Sequence, residues 1–182
     1  YTCIAANILG IKIHEEFFKW CMKAEGWKRT GLFYEKYYIN GKKALHHFQP
    51  DQTGSVLIAI FDYYKSNTKE CKKFRELITK SANGLCNVWN KDHFRLVTQD
   101  LWEETLCFPD LQDNFTYSLA ICAKGLECAN KLLPNKKWEK ASKEMKKVLL
   151  RNFKNIFYRS FGKINDERID ASLLGLVWPS EL

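Results

Sequence analysis

No stretch of this sequence approaches the ~20 consecutive apolar residues that a helix needs to cross a bilayer, which argues against a membrane role. Cys-x-x-Cys pairs are missing as well. The seven cysteines (Cys3, Cys21, Cys71, Cys86, Cys107, Cys122, Cys128) are odd in number and scattered, so neither a zinc site nor a redox dithiol is indicated. Several lie inside apolar stretches, as small buried hydrophobes do, and reduced thiols fit a cytoplasmic setting. Strand-type alternation is almost absent. A net charge of +8 and a pI near 9.1 come without any nucleic-acid recognition motif. Most of the charge clusters in residues 136–147, where Trp138, Ala141, Met145, Val148 and Leu149 recur at three- and four-residue steps. That spacing leaves lysines and glutamates on one solvated helix face, so no nucleic-acid partner is expected.

What is present is a folded, aromatic-rich domain. Hydrophobic residues make up 46% and aromatics 14% of 182 residues, enough for one substantial core. Core packing accounts for most of the rings, and an aromatic surplus also suits carbohydrate binding. The periodicity predicts helix after helix: Tyr1–Leu9, His14–Glu25, Gln52–Lys65, Glu70–Asn90, Asn114–Leu133 and Asn135–Tyr158. Residues 26–50 read as a long polar-aromatic connection with a short extended piece at Phe33–Ile39. Asp51 and Asp170 are placed to cap the segments that follow them. Buried helices alternating with charged ones, with long loops after every second helix, describe stacked helical hairpins.

The most informative run is Asp100-Leu101-Trp102-Glu103-Glu104. An indole can stack on a pyranose ring, and a partly desolvated carboxylic acid can keep a proton for a glycosidic oxygen. A solvated helix start would also favour such acids, through the helix dipole.

Four segments together resemble the glucoamylase-type glycoside hydrolases, glycoside hydrolase family 15, which also holds glucodextranases and some microbial trehalases. They are Phe17-Phe18-Lys19-Trp20-Cys21-Met22-Lys23-Ala24 with Gly31-Leu32-Phe33-Tyr34-Glu35-Lys36-Tyr37-Tyr38, then Gln49-Pro50-Asp51-Gln52-Thr53-Gly54-Ser55-Val56-Leu57, then the Trp-Glu-Glu run with Asn114-Phe115-Thr116 behind it, and finally Asp170-Ala171-Ser172-Leu173-Leu174-Gly175-Leu176. The likeness is greatest to prokaryotic and archaeal members. It implies an all-α fold in which the hairpins of residues 1–182 form roughly half of an (α/α)6 toroid, the six-hairpin glycosidase fold. On this reading the chain is a partial catalytic domain, truncated at both ends.

By the same resemblance, Glu103 matches the general acid and Glu104 the neighbour that hydrogen-bonds substrate hydroxyls. Trp102 presents backbone and ring to the sugar. Gln49 and Asp51 fall in a pocket-forming loop, with Asp51 equally readable as a helix cap. The implied reaction is inverting, exo-acting α-glucosidase chemistry on an α-glucan, an oligosaccharide or a disaccharide such as trehalose, with no cofactor and no metal. The implied catalytic base lies outside these residues, because an inverting pair must sit ~6.5–9.5 Å apart and adjacent Glu103 and Glu104 cannot flank a sugar that way. Three departures stand out: His46 and His47 where members usually carry tryptophan and glycine, Gln52 for the usual glutamate, and a longer stretch from Thr105 to Asn114. They leave a noncatalytic carbohydrate-sensing relative as the alternative, and a helical scaffold for protein partners as a third reading.

Overall fold

A computed structural model describes residues 1–182. It is all-α, with seven helices: α1 (Thr2–Ile8), α2 (His14–Cys21), α3 (Trp27–Thr30), α4 (Pro50–Tyr64), α5 (Arg75–Val88), α6 (Thr116–Leu132) and α7 (Lys136–Arg151). 3-10 turns at Thr68–Phe74, Pro109–Leu111 and Ala171–Leu176 punctuate the loops. No helix is long and apolar enough to cross a membrane.

The helices form three hairpins, α1/α2, α4/α5 and α6/α7, half the complement of a six-hairpin toroid. Their inner members run parallel. Ile4 of α1 packs with Ile58 of α4, and Asn7 Nδ2 donates to Asp62 Oδ2 at 2.8 Å, so the two helices advance together. Further round, Asp51 meets Ser118 and Gly54 meets Ile121, a constant offset that makes α4 and α6 parallel too. The outer helices follow the same rule: Trp138 Nε1 of α7 donates to Asn83 Oδ1 of α5 at 2.8 Å, and Trp89, just past α5, donates to Glu144 at 3.2 Å.

Composition separates the layers. α6 is buried along almost its whole length, and α4 carries the apolar run Val56–Ile60, so both read as hydrophobic on most sides. α7 is amphipathic: Trp138, Ala141, Met145, Val148 and Leu149 face inward, and Lys143 pairs with Glu139 on the solvated face, as expected. One contiguous core joins Phe18, Leu57, Ile60, Leu77, Leu85, Leu119, Leu126, Trp138 and Met145. Each such fully buried side chain stabilises by ~1.5–3 kcal/mol. At the α4–α6 crossing, a Cβ on Gly54 would lie 2.6 Å from the Ile121 carbonyl oxygen, and one on Gly125 would lie 2.7 Å from that of Gly54. Glycine at both positions lets the backbones touch.

All seven cysteines are free, and six are buried. Burial pushes the Cys21, Cys107 and Cys122 thiols well up from their ordinary range, which makes them poor nucleophiles.

Several boundaries differ from expectation. α4 begins at Pro50, because proline's fixed φ suits a first helical position. Asp51 therefore lies inside the first turn and caps nothing. The segment 70–90 splits into a 3-10 turn and α5, and α7 stops at Arg151 rather than Tyr158. The 26–50 connection holds α3 and a loose hairpin closed by bridges Tyr34–Phe48 and Tyr37–Lys43. Asn114–Phe115 is not helical. It forms strand β3, paired antiparallel with β4 (Ser160–Phe161). Asp170 does cap, accepting from the Ser172 N–H at 2.7 Å.

Candidate active site

The Trp-Glu-Glu run is not a helix start. It is the tip of a β-hairpin made by β1 (Thr98–Gln99) and β2 (Leu106–Cys107), paired antiparallel in the register Thr98–Cys107 and Gln99–Leu106. The hairpin is tied to the end of the 33–48 hairpin by the Gln99 N–H, which donates to the Phe48 carbonyl at 2.8 Å. Residues 100–105 close the turn around one side chain. Asp100 Oδ1 accepts the Glu104 N–H at 2.8 Å and the Thr105 N–H at 3.1 Å. Glu103 then sits at φ 64°, a left-handed conformation uncommon for a residue with a side chain. Strain of this kind, held by its surroundings, clusters at functional sites.

The two glutamates point to different partners. Glu103 is three-quarters covered and paired with Lys36, which reaches over from the 33–48 hairpin. Glu104 is 66% exposed and has one oxygen 3.4 Å from Arg159 Nη2. Trp102, just before them, is half open, and its Nε1–H is shared by the two Asp170 oxygens at 2.9 and 3.1 Å. Burial alone would push the Asp170 carboxyl up. Hydrogen bonds from Ser172 and Trp102, with the Arg159 charge, outweigh it and hold the group below its usual range.

Beneath the tip lies a layer closed to solvent. Gln49 and Asp51 are both buried, with Gln49 Nε2 3.3 Å from Asp51 Oδ2 and Ser118 Oγ donating to Asp51 Oδ1 at 2.6 Å. Burial pushes the Asp51 carboxyl up to about 6 against the Ser118 hydrogen bond, and the nearby Asp100 charge adds to the rise. The structure thus brings Trp102, Glu103 and Glu104 to an open surface and places Gln49 and Asp51 under it. The crevice linking the layers is lined by Asp100, Trp102, Tyr117, Ser118 and Arg159. Its volume of about 10 Å³ is room for one water and not for a sugar. A larger cleft of about 330 Å³ between α1, α2 and α4 contains no carboxylate and is not the candidate site. No group of acidic, histidine or cysteine side chains is arranged to hold a metal.

Three residues important to this geometry escaped the sequence reading: Lys36, Ser118 and Arg159. Arg159 alone left a trace, as a single cation inside the aromatic run Phe157-Tyr158-Arg159-Ser160-Phe161, where burial would demand a partner. His46 and His47 lie on the exposed loop, and His47 Nδ1 is 3.0 Å from Glu35.

The helical hairpins thus carry an acidic, aromatic hairpin tip over a buried polar layer. Residues 18–178 match the model of Glycosyl hydrolases family 15, and the chain belongs to that family. It is 30% identical, over 202 aligned residues, to the uncharacterized glycosyl hydrolase MJ1610 of Methanocaldococcus jannaschii. That alignment covers 100% of this chain and 30% of the relative, so the chain spans under a third of the relative's length. No solved structure matches the chain.

Proposed function

We propose that these residues carry the acid half of an exo-acting, inverting α-glucosidase that releases glucose from α-glucan or maltooligosaccharide ends, or cleaves a related α-glucoside such as trehalose. The observation that carries this reading is the divergence of two neighbouring glutamates at a strained hairpin tip in a family 15 chain. Glu103 is the general acid, and its partial cover suits a group that must deliver a proton to a glycosidic oxygen. Lys36 occupies one oxygen of the Glu103 carboxylate, and substrate entry displaces it. Glu104 keeps an open oxygen for a sugar hydroxyl, and the Trp102 ring offers a stacking face. Gln49 and Asp51 support this surface from below and reach substrate only if the tip moves. We assign the base to a carboxylate outside residues 1–182. A reducing, cytoplasmic compartment is supported by seven free thiols.

The test is Glu103→Gln in the complete protein, assayed on maltose, maltotriose and trehalose. Turnover is expected to fall about 10²–10⁴-fold, because general-acid catalysis acts in the transition state while the amide preserves shape and binding. Near-normal turnover would remove Glu103 from the role. A noncatalytic carbohydrate-binding relative is the second reading, favoured by the Glu103–Lys36 pair. It predicts sugar binding with no hydrolysis by the unaltered protein.

A further inference from the structure

Arg159 is almost fully buried, yet it lies outside the four sequence segments that first pointed to the family. Its position is fixed from behind: its carbonyl accepts the Thr116 N–H at 3.0 Å, and the Tyr158 carbonyl accepts Thr116 Oγ1 at 2.5 Å, at the start of α6. Its guanidinium faces three carboxylates. Nη2 pairs with Asp100 and lies 3.4 Å from Glu104, while Nε lies 3.7 Å from Asp170. Asp100 in turn holds the amides of Glu104 and Thr105, and Asp170 holds the Trp102 indole. The two carboxylates that hold the tip's side-chain-bonded amides and its indole, Asp100 and Asp170, are thus both met by one guanidinium.

We propose that Arg159 is a positioning residue that orders the 100–105 tip and aims Glu104 at a substrate hydroxyl, so that it sets affinity for the sugar rather than proton transfer. The proposal rests on the hydrolase reading above for its substrate. Arg159 makes no contact with Glu103, which turns the other way onto Lys36. Its single contact to Glu104 leaves the second oxygen of that carboxylate free. A planar fork can meet carboxylates on different sides at once, which a lysine point charge cannot. Removing the cation would also leave Asp100 buried and unpaired.

The decisive variant is Arg159→Lys in the complete protein. KM for maltotriose is expected to rise at least ~10-fold with kcat changed less than ~3-fold, the split expected when a ground-state contact is lost. In a Glu104→Ala background the same change should raise KM no more than ~3-fold, because coupled residues lose the same interaction only once. Hydrogen exchange at the Glu104 and Thr105 amides should speed at least ~10-fold in Arg159→Lys, with the helices unchanged. If Arg159→Lys does not fold, the double variant Asp100→Asn with Arg159→Gln removes both buried charges and should show the same KM rise. A kcat loss at constant KM, a KM effect undiminished by Glu104→Ala, or unchanged exchange at the tip would each overturn the proposal. The exchange measurement needs no activity. Absence of hydrolysis in the unaltered protein would sink the hydrolase reading and still leave the arginine's role decided.

Discussion

At Asp51 a carboxylate is held in a place that prefers it protonated, and the sign of the consequence follows from linkage. Its folded pKa of about 6 exceeds its unfolded value near 3.8, so between those limits the folded state binds the extra proton. Stability from this group is therefore lost as pH rises from about 4 to about 6, and the full cost stands above that. The shift corresponds to something on the order of 3 kcal/mol at neutral pH. Asp51→Asn should remove this dependence, since an amide oxygen can still accept from Ser118. Urea denaturation of both proteins from pH 4 to pH 8 should show the variant gaining on the wild type through that window and holding a constant lead above it. A difference that stays flat with pH would show that Asp51 is already ionised on folding. The same residue marks what was legible at this scale. Trp102, Glu103 and Glu104 could be picked out because they are adjacent in sequence and chemically suggestive. Asp51 was noticed, but its burial was not, because burial depends on Ser118, which lies 67 residues further on.

Between helices, backbone meets backbone where α4 crosses α6. A methyl group at Gly125 would meet the Gly54 backbone at three atoms, the nearest 2.7 Å away, and backbone cannot rotate aside as a side chain can. Gly125→Ala should therefore cost more than the ~1–3 kcal/mol typical of overpacking, despite alanine's better helix propensity. Thermal melting followed by far-UV circular dichroism checks this, and an unchanged or raised Tm would show that the helices can separate freely. The helices themselves were legible, because Val56–Phe61 and Trp138–Leu149 carry the apolar spacing of buried and amphipathic helices. Their joints were less so. Strand β3 at Asn114–Phe115 exists only because Ser160–Phe161 comes back to pair with it, and the 100–105 turn is a hairpin tip only because β1 and β2 meet. Two-residue strands have no period to detect. The toroid, too, came from resemblance, since periodicity predicts hairpins and is silent on how they close.

Across the whole molecule, seven free thiols, a large main core with a small second cluster, and three stacked hairpins describe a scaffold whose stability is spread through its helices. The hairpin tip stands apart from it in time as well as in space. Lys36 is 67 residues from Glu103, Arg159 is 59 from Asp100 and Asp170 is 68 from Trp102, so each tie closes a long chain loop. Helix packing closes loops as long, since Asp51 of α4 meets Ser118 of α6 across 67 residues, but there each closure is shared by a whole buried helix face, whereas the tip hangs on a few side chains, some of them exposed. With so few ties, and those partly exposed, the tip is the first part to let go. On slow warming, a glutamate-specific protease should cut after Glu103 or Glu104 at temperatures where the helical signal is still complete. Cleavage that waits for helix melting would mean that tip and scaffold form a single cooperative unit. If the tip does release first, the protein has two lifetimes, a short one for the geometry that meets the sugar and a long one for the fold that carries it.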